Sequence, residues 1–271
     1  YIGNTDALVR VPFQPGQTKI DAKPVTVAKL PGGYNHWARN LLLAPDNKSI
    51  YVAVGSASNI GESGMELEQK RAAILQIELP SGKDRIFAYG LRNPNGLAFN
   101  PKSGTLWTVV NERDMLGSDG PPDYLTTVDF GTFYGWPFFY WGGIQDQRVP
   151  QLRLDLQQYT KRPDYALGPH VAALGLAFNS GSALGARFSN GAFIGMHGSW
   201  NRYPASGYKV VYVPFNERGF PTGEKPVDVL TGFLNDKGQA QGRPVGVIVD
   251  KKGALLVADD AGNRIWRVTA G

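Results

Sequence analysis

A degenerate internal repeat constrains this chain of 271 residues more than any other feature of its sequence. Each copy is a short apolar stretch that starts at a Gly or an Asn and ends in a turn, and the four copies occupy 40–46, 96–101, 175–179 and 246–250. A second apolar stretch follows each copy, after a Gly/Ser loop in the third, at 49–54, 105–110, 192–196 and 254–258. Short strands between Gly and Pro turns are typical of all-β proteins, and repeated units of about four strands indicate a β-propeller.

The number of repeats does not match the length of the chain. At roughly 45 residues per blade a chain of this length allows six blades, yet only four first strands and a leading half-blade over 1–30 are recognisable. A propeller ring has to close so that no sheet edge stays exposed. We therefore expect one six-bladed propeller domain over 1–271 that lacks about the first one and a half blades.

The composition excludes several functions. Lys and Arg number 28 against 23 Asp and Glu, which gives a net charge of +5, but these basic residues are scattered. Nucleic-acid binding needs a concentrated basic surface, so it is not expected. No apolar run approaches the roughly 18 residues of a membrane span. The chain has 0 Cys, which excludes disulfides, thiolate metal sites and Cys nucleophiles.

Four basic residues stand at nearly the same place in the repeat, just before its first strand; they are His36, Arg92, His170 and Arg243. Such residues lie at one mouth of a propeller channel. A single His is more often structural, and the recurrence is what favours a functional role. Cations without carboxylates suit a polyanionic ligand that guanidinium groups hold in bidentate pairs.

Four segments carry a resemblance to a known family, and they are 33–39, 89–99, 134–137 and 242–246. With the run Gly-Leu-Arg-Asn-Pro-Asn-Gly-Leu in the second and Tyr-Gly-Trp-Pro in the third, the chain resembles the soluble pyrroloquinoline quinone (PQQ)-dependent sugar dehydrogenases. The similarity is greatest to the L-sorbosone and aldose sugar dehydrogenase-like branch, and it covers nearly the whole chain.

The resemblance implies a six-bladed propeller whose channel mouth holds PQQ, a tricarboxylate, with Ca²⁺ against the quinone oxygens. It also implies oxidation of a sugar or sugar aldehyde, with hydride transfer to the quinone. The implied partners are that substrate and an electron acceptor such as a cytochrome or the quinone pool. The implied location is periplasmic or secreted.

The family's catalytic residues match His36, as the general base, and Arg92, which would lie near the quinone oxygens. Asn93 completes the family's Arg-Asn pair, and Asn95 stands where the glucose enzymes have Gln, so both are expected to contact the cofactor. The alternative for 93–96 is an ordinary turn.

The other expected cofactor contacts match the family less closely, and they are His197, Trp200, Arg202 and Arg243. His197 or Arg202 would replace a Lys of the glucose enzymes, and Val245 replaces one Arg of an Arg-x-Arg pair. Calcium would bind backbone oxygens in the loop 111–123, at Arg113 and Asp114. A solvated acidic loop is the alternative for that segment.

Two other functions compete with this prediction. A non-catalytic ligand-binding propeller would keep the scaffold without the chemistry. A calcium-dependent lactonase would need two or three carboxylates and amides at the channel mouth, and the aligned positions before the first strands do not supply them.

Overall fold

The computed structural model describes residues 1–149, 151–179, 181 and 183–270. Pro150, Ser180, Ser182 and Gly271 belong to the predicted domain, and the two serines to the predicted Gly/Ser loop; these four lie outside the described residues. Short 3₁₀ turns occur at Met65–Glu68, Leu154–Tyr159 and Ala186–Phe188, the first of them within a charged stretch. All other regular structure in the described part is β-strand.

The described strands form five consecutive antiparallel sheets of three or four strands. The first three sheets contain β1 (Ile2–Gly3), β2 (Ala7–Arg10) and β3 (Val25–Lys29); β4 (Leu41–Leu43), β5 (Ser49–Val54), β6 (Ala73–Glu78) and β7 (Asp84–Tyr89); and β8 (Asn93–Phe99), β9 (Leu106–Asn111), β10 (Pro122–Thr127) and β13 (Tyr165–Pro169). The other two contain β14 (Ala173–Asn179), β15 (Gly191–Met196), β16 (Lys209–Pro214) and β17 (Val227–Leu230); and β18 (Pro244–Val249), β19 (Leu255–Asp259) and β20 (Arg264–Val268). A separate hairpin joins β11 (Phe139–Tyr140) and β12 (Ile144–Gln145).

The hydrophobic core lies between the sheets, as the blades of a propeller require. Along β5, Ile50 and Val52 face the first sheet, whereas Tyr51 and Ala53 face the third. Side chains alternate between the two faces of a strand, so a strand that is buried on both faces is apolar throughout. The unbroken apolar stretches of the repeat reflect this double burial.

The Gly of the repeat is required where neighbouring sheets meet at the channel. A Cβ on Gly96 would lie 2.6 Å from the Leu176 backbone nitrogen, and a Cβ on Gly175 would lie 2.8 Å from that of Val247. Real Cβ atoms do not approach backbone so closely, and only Gly lacks the Cβ. Gly246, the equivalent residue of the fifth sheet, has no such neighbour within 4 Å in the described part of the chain.

One strand assignment from the sequence was incomplete. The outer strand of the third sheet, β13, pairs with β10 and follows it only after a long insertion that contains the β11–β12 hairpin. The repeat pattern does not predict β13 because a strand added after an insertion leaves no periodic signal. The segment 131–134 instead runs beside β7, where Tyr89 and Phe133 form a parallel bridge.

The all-β propeller architecture is confirmed, and the number of blades in a complete ring stays a prediction. No helix among the described residues is both long enough and apolar enough to cross a membrane.

Candidate active site

Loops at the start of the inner strands enclose a cleft of about 340 Å³. Its walls include the segments before β4, β8 and β14 and the loop after β15, so connections of three sheets contribute side chains to one place. The predicted residues that line it are His36, Arg92, Asn93, Asp114, His170, His197 and Trp200. This volume lies in the usual range for small-ligand sites.

His36 is held in one tautomer. Its Nδ1 lies 2.8 Å from the Ser56 carbonyl oxygen and 3.1 Å from Ser56 Oγ, which itself donates to the Ser58 carbonyl at 2.6 Å. A carbonyl oxygen only accepts, so Nδ1 carries the proton and Nε2 keeps its lone pair. Burial, reinforced by the nearby charge of Arg92, lowers the pKa of His36 to about 4. The imidazole is therefore neutral at pH 7 and can accept a proton at Nε2.

Arg92 is almost fully buried and forms four hydrogen bonds. Its Nη1 donates to the Glu112 carbonyl at 2.7 Å, and Nη2 donates to Asp114 Oδ2 at 2.8 Å. Asn59 accepts the other two, with its carbonyl oxygen at 3.2 Å from Nε and its Oδ1 at 2.9 Å from Nη2. These partners fix the plane of the guanidinium, and its charge lies beside the neutral His36.

Gly55 allows His36 and Asn93 to lie side by side. A Cβ at position 55 would collide with Asn93 Oδ1 and with the His36 side chain. Asn95 is buried below them, where its Nδ2 donates to the Asn93 carbonyl at 3.0 Å. Asn93 therefore lines the cleft, whereas Asn95 supports its backbone from underneath.

Carboxylates also reach the cleft, contrary to the expectation of cations alone. Glu112, Asp114 and Asp123 line it, and all three come from the segment that joins β9 to β10 and from the start of β10. Burial raises the pKa of Glu112 to about 7 and that of Asp123 to about 6. The comparison of repeat positions missed them because it considered only residues that precede the first strand of each sheet.

Asp114 connects the two halves of the cleft. In addition to the ion pair with Arg92, its Oδ1 accepts a hydrogen bond from Asn201 Nδ2 at 2.9 Å and lies 3.7 Å from His170 Nδ1. His170 Nε2 faces the Gly117 carbonyl at 2.9 Å. Asn201 Oδ1 is buried with no hydrogen-bond partner among the described residues, so it is free to accept from a ligand.

Two exposed indoles stand at the rim of the cleft. Trp37 is 68% exposed and Trp200 is 75% exposed. Indoles are seldom left so open to water unless they meet a ligand or partner, because each carries a large apolar surface. Trp37 was not anticipated from the sequence.

The remaining predicted cofactor contacts lie behind or beside the cleft. Arg243 Nη1 donates to His197 Nδ1 at 3.2 Å, and its Nη2 donates to the Tyr208 hydroxyl at 2.7 Å. It therefore reaches the cleft only through His197, whose Nε2 lies 3.1 Å from the Asp260 carboxylate. Arg202 pairs with Asp119 at 2.9 Å and does not line the cleft.

The predicted metal site rests on Arg113 and Asp114. The Arg113 side chain points away from the cleft into a buried ion pair with Asp146, so only its backbone oxygen remains as a possible ligand. The Asp114 carbonyl accepts from Asn59 Nδ2 at 3.1 Å. Within the described residues there is no cluster of three or more His, Asp or Glu side chains arranged to hold a metal ion.

Several residues that shape the cleft gave no signal in the sequence. Ser56 and Asn59 follow β5 and orient His36 and Arg92, but polar residues after a strand are too common to identify. Asn201 is next to the predicted Trp200, and this adjacency is the only sequence feature that would have indicated it.

Two protein-family models match this chain. The model described as glucose/sorbosone dehydrogenase matches residues 2–199, and a model described as TrAA12-like matches residues 155–271. The chain belongs to the glucose/sorbosone dehydrogenase family.

Among curated relatives of this family member is an uncharacterised protein of Borreliella burgdorferi, 31% identical over 242 residues, which make up 86% of this chain and 60% of the relative. The aldose sugar dehydrogenase YliI of Escherichia coli is 26% identical over 53% of this chain and 40% of its own length. A pyrroloquinoline quinone-dependent pyranose dehydrogenase of Coprinopsis cinerea is 24% identical over 86% of this chain and 39% of its own length. The chain thus spans about two fifths to three fifths of the length of these relatives.

Solved structures agree with the fold of this family member. A calcium structure of the family AA12 protein of Trichoderma reesei has a TM-score of 0.83 at 20% identity and covers 98% of this chain and 76% of its own. The holo form of the PQQ domain of Coprinopsis cinerea pyranose dehydrogenase has a TM-score of 0.80 at 22% identity, covering 98% of this chain and 77% of its own. At such identities the likeness concerns the propeller fold.

Proposed function

We propose that this chain forms the catalytic part of a PQQ-dependent dehydrogenase that oxidises a hydroxyl or aldehyde carbon of a sugar, in the aldose or sorbosone class. One observation carries the proposal: His36 is neutral, its Nδ1–H donates to the Ser56 carbonyl, and its Nε2 has no hydrogen-bond partner among the described residues. Membership of the glucose/sorbosone dehydrogenase family supports it.

In this proposal His36 Nε2 accepts the proton of the substrate hydroxyl. The hydrogen bond at Nδ1 holds the ring in place, and as positive charge develops on the imidazole, the Ser56 carbonyl stabilises it. The bound quinone would accept the hydride that leaves the carbon bearing this hydroxyl. Arg92, fixed by its four bonds, adds positive charge beside the reacting atoms where negative charge develops.

The residues of the cleft fit a flat, acidic cofactor. Trp200 and Trp37 offer planar surfaces at the rim, and Arg92 provides positive charge for a carboxylate. His197 would donate from Nε2 if a cofactor carboxylate took the place of the exposed Asp260. Asn93 adds an amide. Arg202 stays a proposed contact, but its present partner is Asp119, so it would have to exchange that carboxylate for one of the quinone.

Calcium is the less direct part of the proposal. Ca²⁺ takes six to eight oxygen ligands, and the backbone oxygens of Arg113 and Asp114 would have to be joined by others. Asn201 Oδ1, buried and without a partner among the described residues, is a suitable addition. The Asp114 carboxylate lies next to it.

Substrate, acceptor and location follow from the family alone. The substrate would be a sugar or sugar aldehyde, the acceptor a cytochrome or the quinone pool, and the location the periplasm or the outside of the cell. The complete six-bladed ring, with further blades closing it, belongs to the same proposal.

A calcium-dependent lactonase remains a second candidate because of one finding. Three carboxylates and the amides of Asn93 and Asn201 line the cleft, which is the kind of oxygen-rich donor set that such an enzyme needs. Against it, Asp114 is engaged by Arg92.

Reconstitution separates these functions. The protein is loaded with PQQ and Ca²⁺, and cofactor binding is measured through the quenching of tryptophan fluorescence. Dye reduction is then measured with aldoses and sorbosone as substrates. The proposal requires substrate-dependent dye reduction that needs PQQ. Lactone hydrolysis with Ca²⁺ but without PQQ would identify the lactonase, and PQQ binding without turnover would leave a binding propeller.

A further inference from the structure

A second and larger cavity lies next to the cleft. It is a groove of about 590 Å³ between the outer edge of the second sheet, the turn at Met65–Glu68 and the insertion after β10. Five aromatic residues contribute to its walls, and they are Tyr89, Phe130, Phe133, Trp136 and Phe138. We refer to it as the aromatic groove.

The aromatic groove presents ring faces in an ordered arrangement. Tyr89 and Phe133 are stacked, with ring centroids 5.1 Å apart and planes at 29°. Phe130 is 61% exposed at one side, and the Arg85 guanidinium lies 4.5 Å from its ring centroid. Aromatic side chains in a concave site favour a flat apolar ligand that can stack on them.

Cations outnumber carboxylates along the aromatic groove. Its charged lining residues are Glu68, Lys70, Arg71 and Arg153. The Glu68 oxygens accept from the backbone of Ala57 and Ser58; its single negative charge offsets part of the positive charge of Arg71, and the three cations still outnumber it. The Arg153 guanidinium lies 5.8 Å from the centre of the Phe138 ring, which places positive charge directly at the aromatic wall.

Lys70 and Arg153 have carboxylate partners outside the lining, Asp84 at 2.6 Å and Asp155 at 2.8 Å. These are exposed pairs, which contribute little and exchange readily for another anion.

Arg71 supplies an independent sign of a ligand. It is only 5% exposed, and its Nη2 donates to the carbonyl oxygens of Pro31, Gly32 and Gly33. Its Nη1 is buried without a hydrogen-bond partner among the described residues. The Arg71 guanidinium also lies 5.1 Å from the Tyr34 ring centroid. A buried charged donor without a hydrogen-bond partner is costly, and because Arg71 lines the groove, an anion that reaches Nη1 from there would satisfy it.

The aromatic groove and the cleft share one thin wall. The Asn59 carbonyl oxygen accepts from Trp136 Nε1 at 2.9 Å on the groove side and from Arg92 Nε at 3.2 Å on the cleft side. The two cavities are nonetheless separate, since they have no lining residue in common.

We propose that the aromatic groove is a second ligand site, for a planar aromatic anion of one or two rings whose acidic group faces Arg71, Lys70 and Arg153. Rings stack on Tyr89 and Phe130, the two exposed aromatic residues of the groove, and the cations select the charge. The site does not depend on the function proposed for the cleft.

Calorimetric titration with three probes of equal size tests the ligand class. The probes are naphthalene-2-sulfonate, neutral 2-naphthylmethanol and cationic 2-naphthylmethylammonium. We expect the anion to bind up to about fivefold more tightly than the neutral probe, since exposed charges of this kind contribute up to about 1 kcal/mol. Equal affinity of all three, or tighter binding of the cation, would overturn the proposal.

Variants locate the bound probe. Phe130→Ser, at an exposed position, should weaken naphthalene-2-sulfonate about fivefold through lost stacking, and Arg153→Gln about threefold. Arg71→Gln should weaken it most, with a thermal melt to show that the variant is folded. If Arg71→Gln does not fold, the Phe130→Ser and Arg153→Gln variants still show whether the probe binds in the aromatic groove.

Two control variants exclude other locations. Tyr203→Ser, at an exposed residue outside both cavities, should leave the affinity unchanged. Trp200→Ser should also leave it unchanged, because Trp200 lines only the cleft. If Trp200→Ser weakens the anion while Phe130→Ser does not, the probe occupies the cleft and the aromatic groove is not its site.

Discussion

The two sides of the cleft hold their charged groups in different ways. On one side, His36 and Arg92 are oriented largely by the main-chain carbonyls of Ser56, Asn59 and Glu112. On the other, His197 and Arg243 are held by side chains, the half-exposed Asp260 and the Tyr208 hydroxyl. Arg202 combines both kinds of partner, the exposed Asp119 carboxylate and the Ser118 and Pro204 carbonyls.

The difference separates a rigid part of the site from an adaptable one. The Ser56 and Glu112 carbonyls lie within two residues of the ends of β5 and β9, so the sheets limit their movement and His36 and Arg92 are preorganised. Exposed carboxylates compete with water and give way to another anion at little cost. We infer that the first side suits chemistry and the second suits capture of a ligand.

Replacing the histidine of each side should break the comparison most visibly. His36→Ala should lower turnover of the PQQ-loaded enzyme by about 10²- to 10⁴-fold, the contribution of a positioned base, while quinone binding is nearly intact. His197→Ala, its matched control, should weaken quinone binding with a loss of turnover below about tenfold. Equal losses in both variants would mean that His36 is not the base. Dye reduction and fluorescence titration measure the two effects.

Replacing each arginine by lysine should sharpen the contrast in stability. Arg92→Lys leaves buried carbonyls without donors, and we expect the free energy of unfolding to fall by about 2–4 kcal/mol. Arg243→Lys, with partly exposed partners, should cost less than about 1 kcal/mol. Urea unfolding followed by circular dichroism gives both values. A cost for Arg243→Lys as large as for Arg92→Lys would show that the second side is equally rigid.

The pH dependence of catalysis tests the charge of His36. Because its pKa is about 4 instead of the usual 6.5, activity should persist at pH 5.5 and fall only as the pH approaches 4. Arg92→Gln removes a nearby positive charge, so the acid limb of kcat/KM should move to higher pH. An acid limb near pH 6.5 in the unsubstituted enzyme would contradict the buried, neutral imidazole.

Stability should respond to the same group. Between pH 6.5 and 4 the unfolded chain binds a proton at His36 that the folded protein does not, so this residue makes the free energy of unfolding fall as the pH drops through that window. Above pH 6.5 it adds no pH dependence. His36→Gln should reduce that slope, and urea titrations at pH 4.5 and 7 would measure the change.

The smallest effect is expected at Arg202. Its partners are the Ser118 and Pro204 carbonyls and the exposed Asp119, and all of these contacts are exposed to water, so Arg202→Gln should change stability by less than about 0.5 kcal/mol. If it lowers quinone affinity more than about fivefold, the side chain leaves Asp119 to bind the cofactor. Fluorescence titration distinguishes these results.

The sequence by itself determined the sheets and the convergence of three repeat residues. Strands such as Ser49–Val54 are buried on both faces, which makes their apolar character local and readable. Gly96 and Gly175 recur because inner strands approach too closely for a Cβ. His36, Arg92 and His170 precede inner strands, and a regular ring carries such positions to one end.

Only the tertiary structure decided what surrounds these residues. The loop after β9 turns its carboxylates into the cleft, and Asp114 meets Arg92 from a different sheet connection. Trp136 places the aromatic groove against the cleft by a hydrogen bond across 77 positions of the chain. Such contacts follow from how long connections pack on the sheets, and that packing leaves no periodic pattern in the sequence.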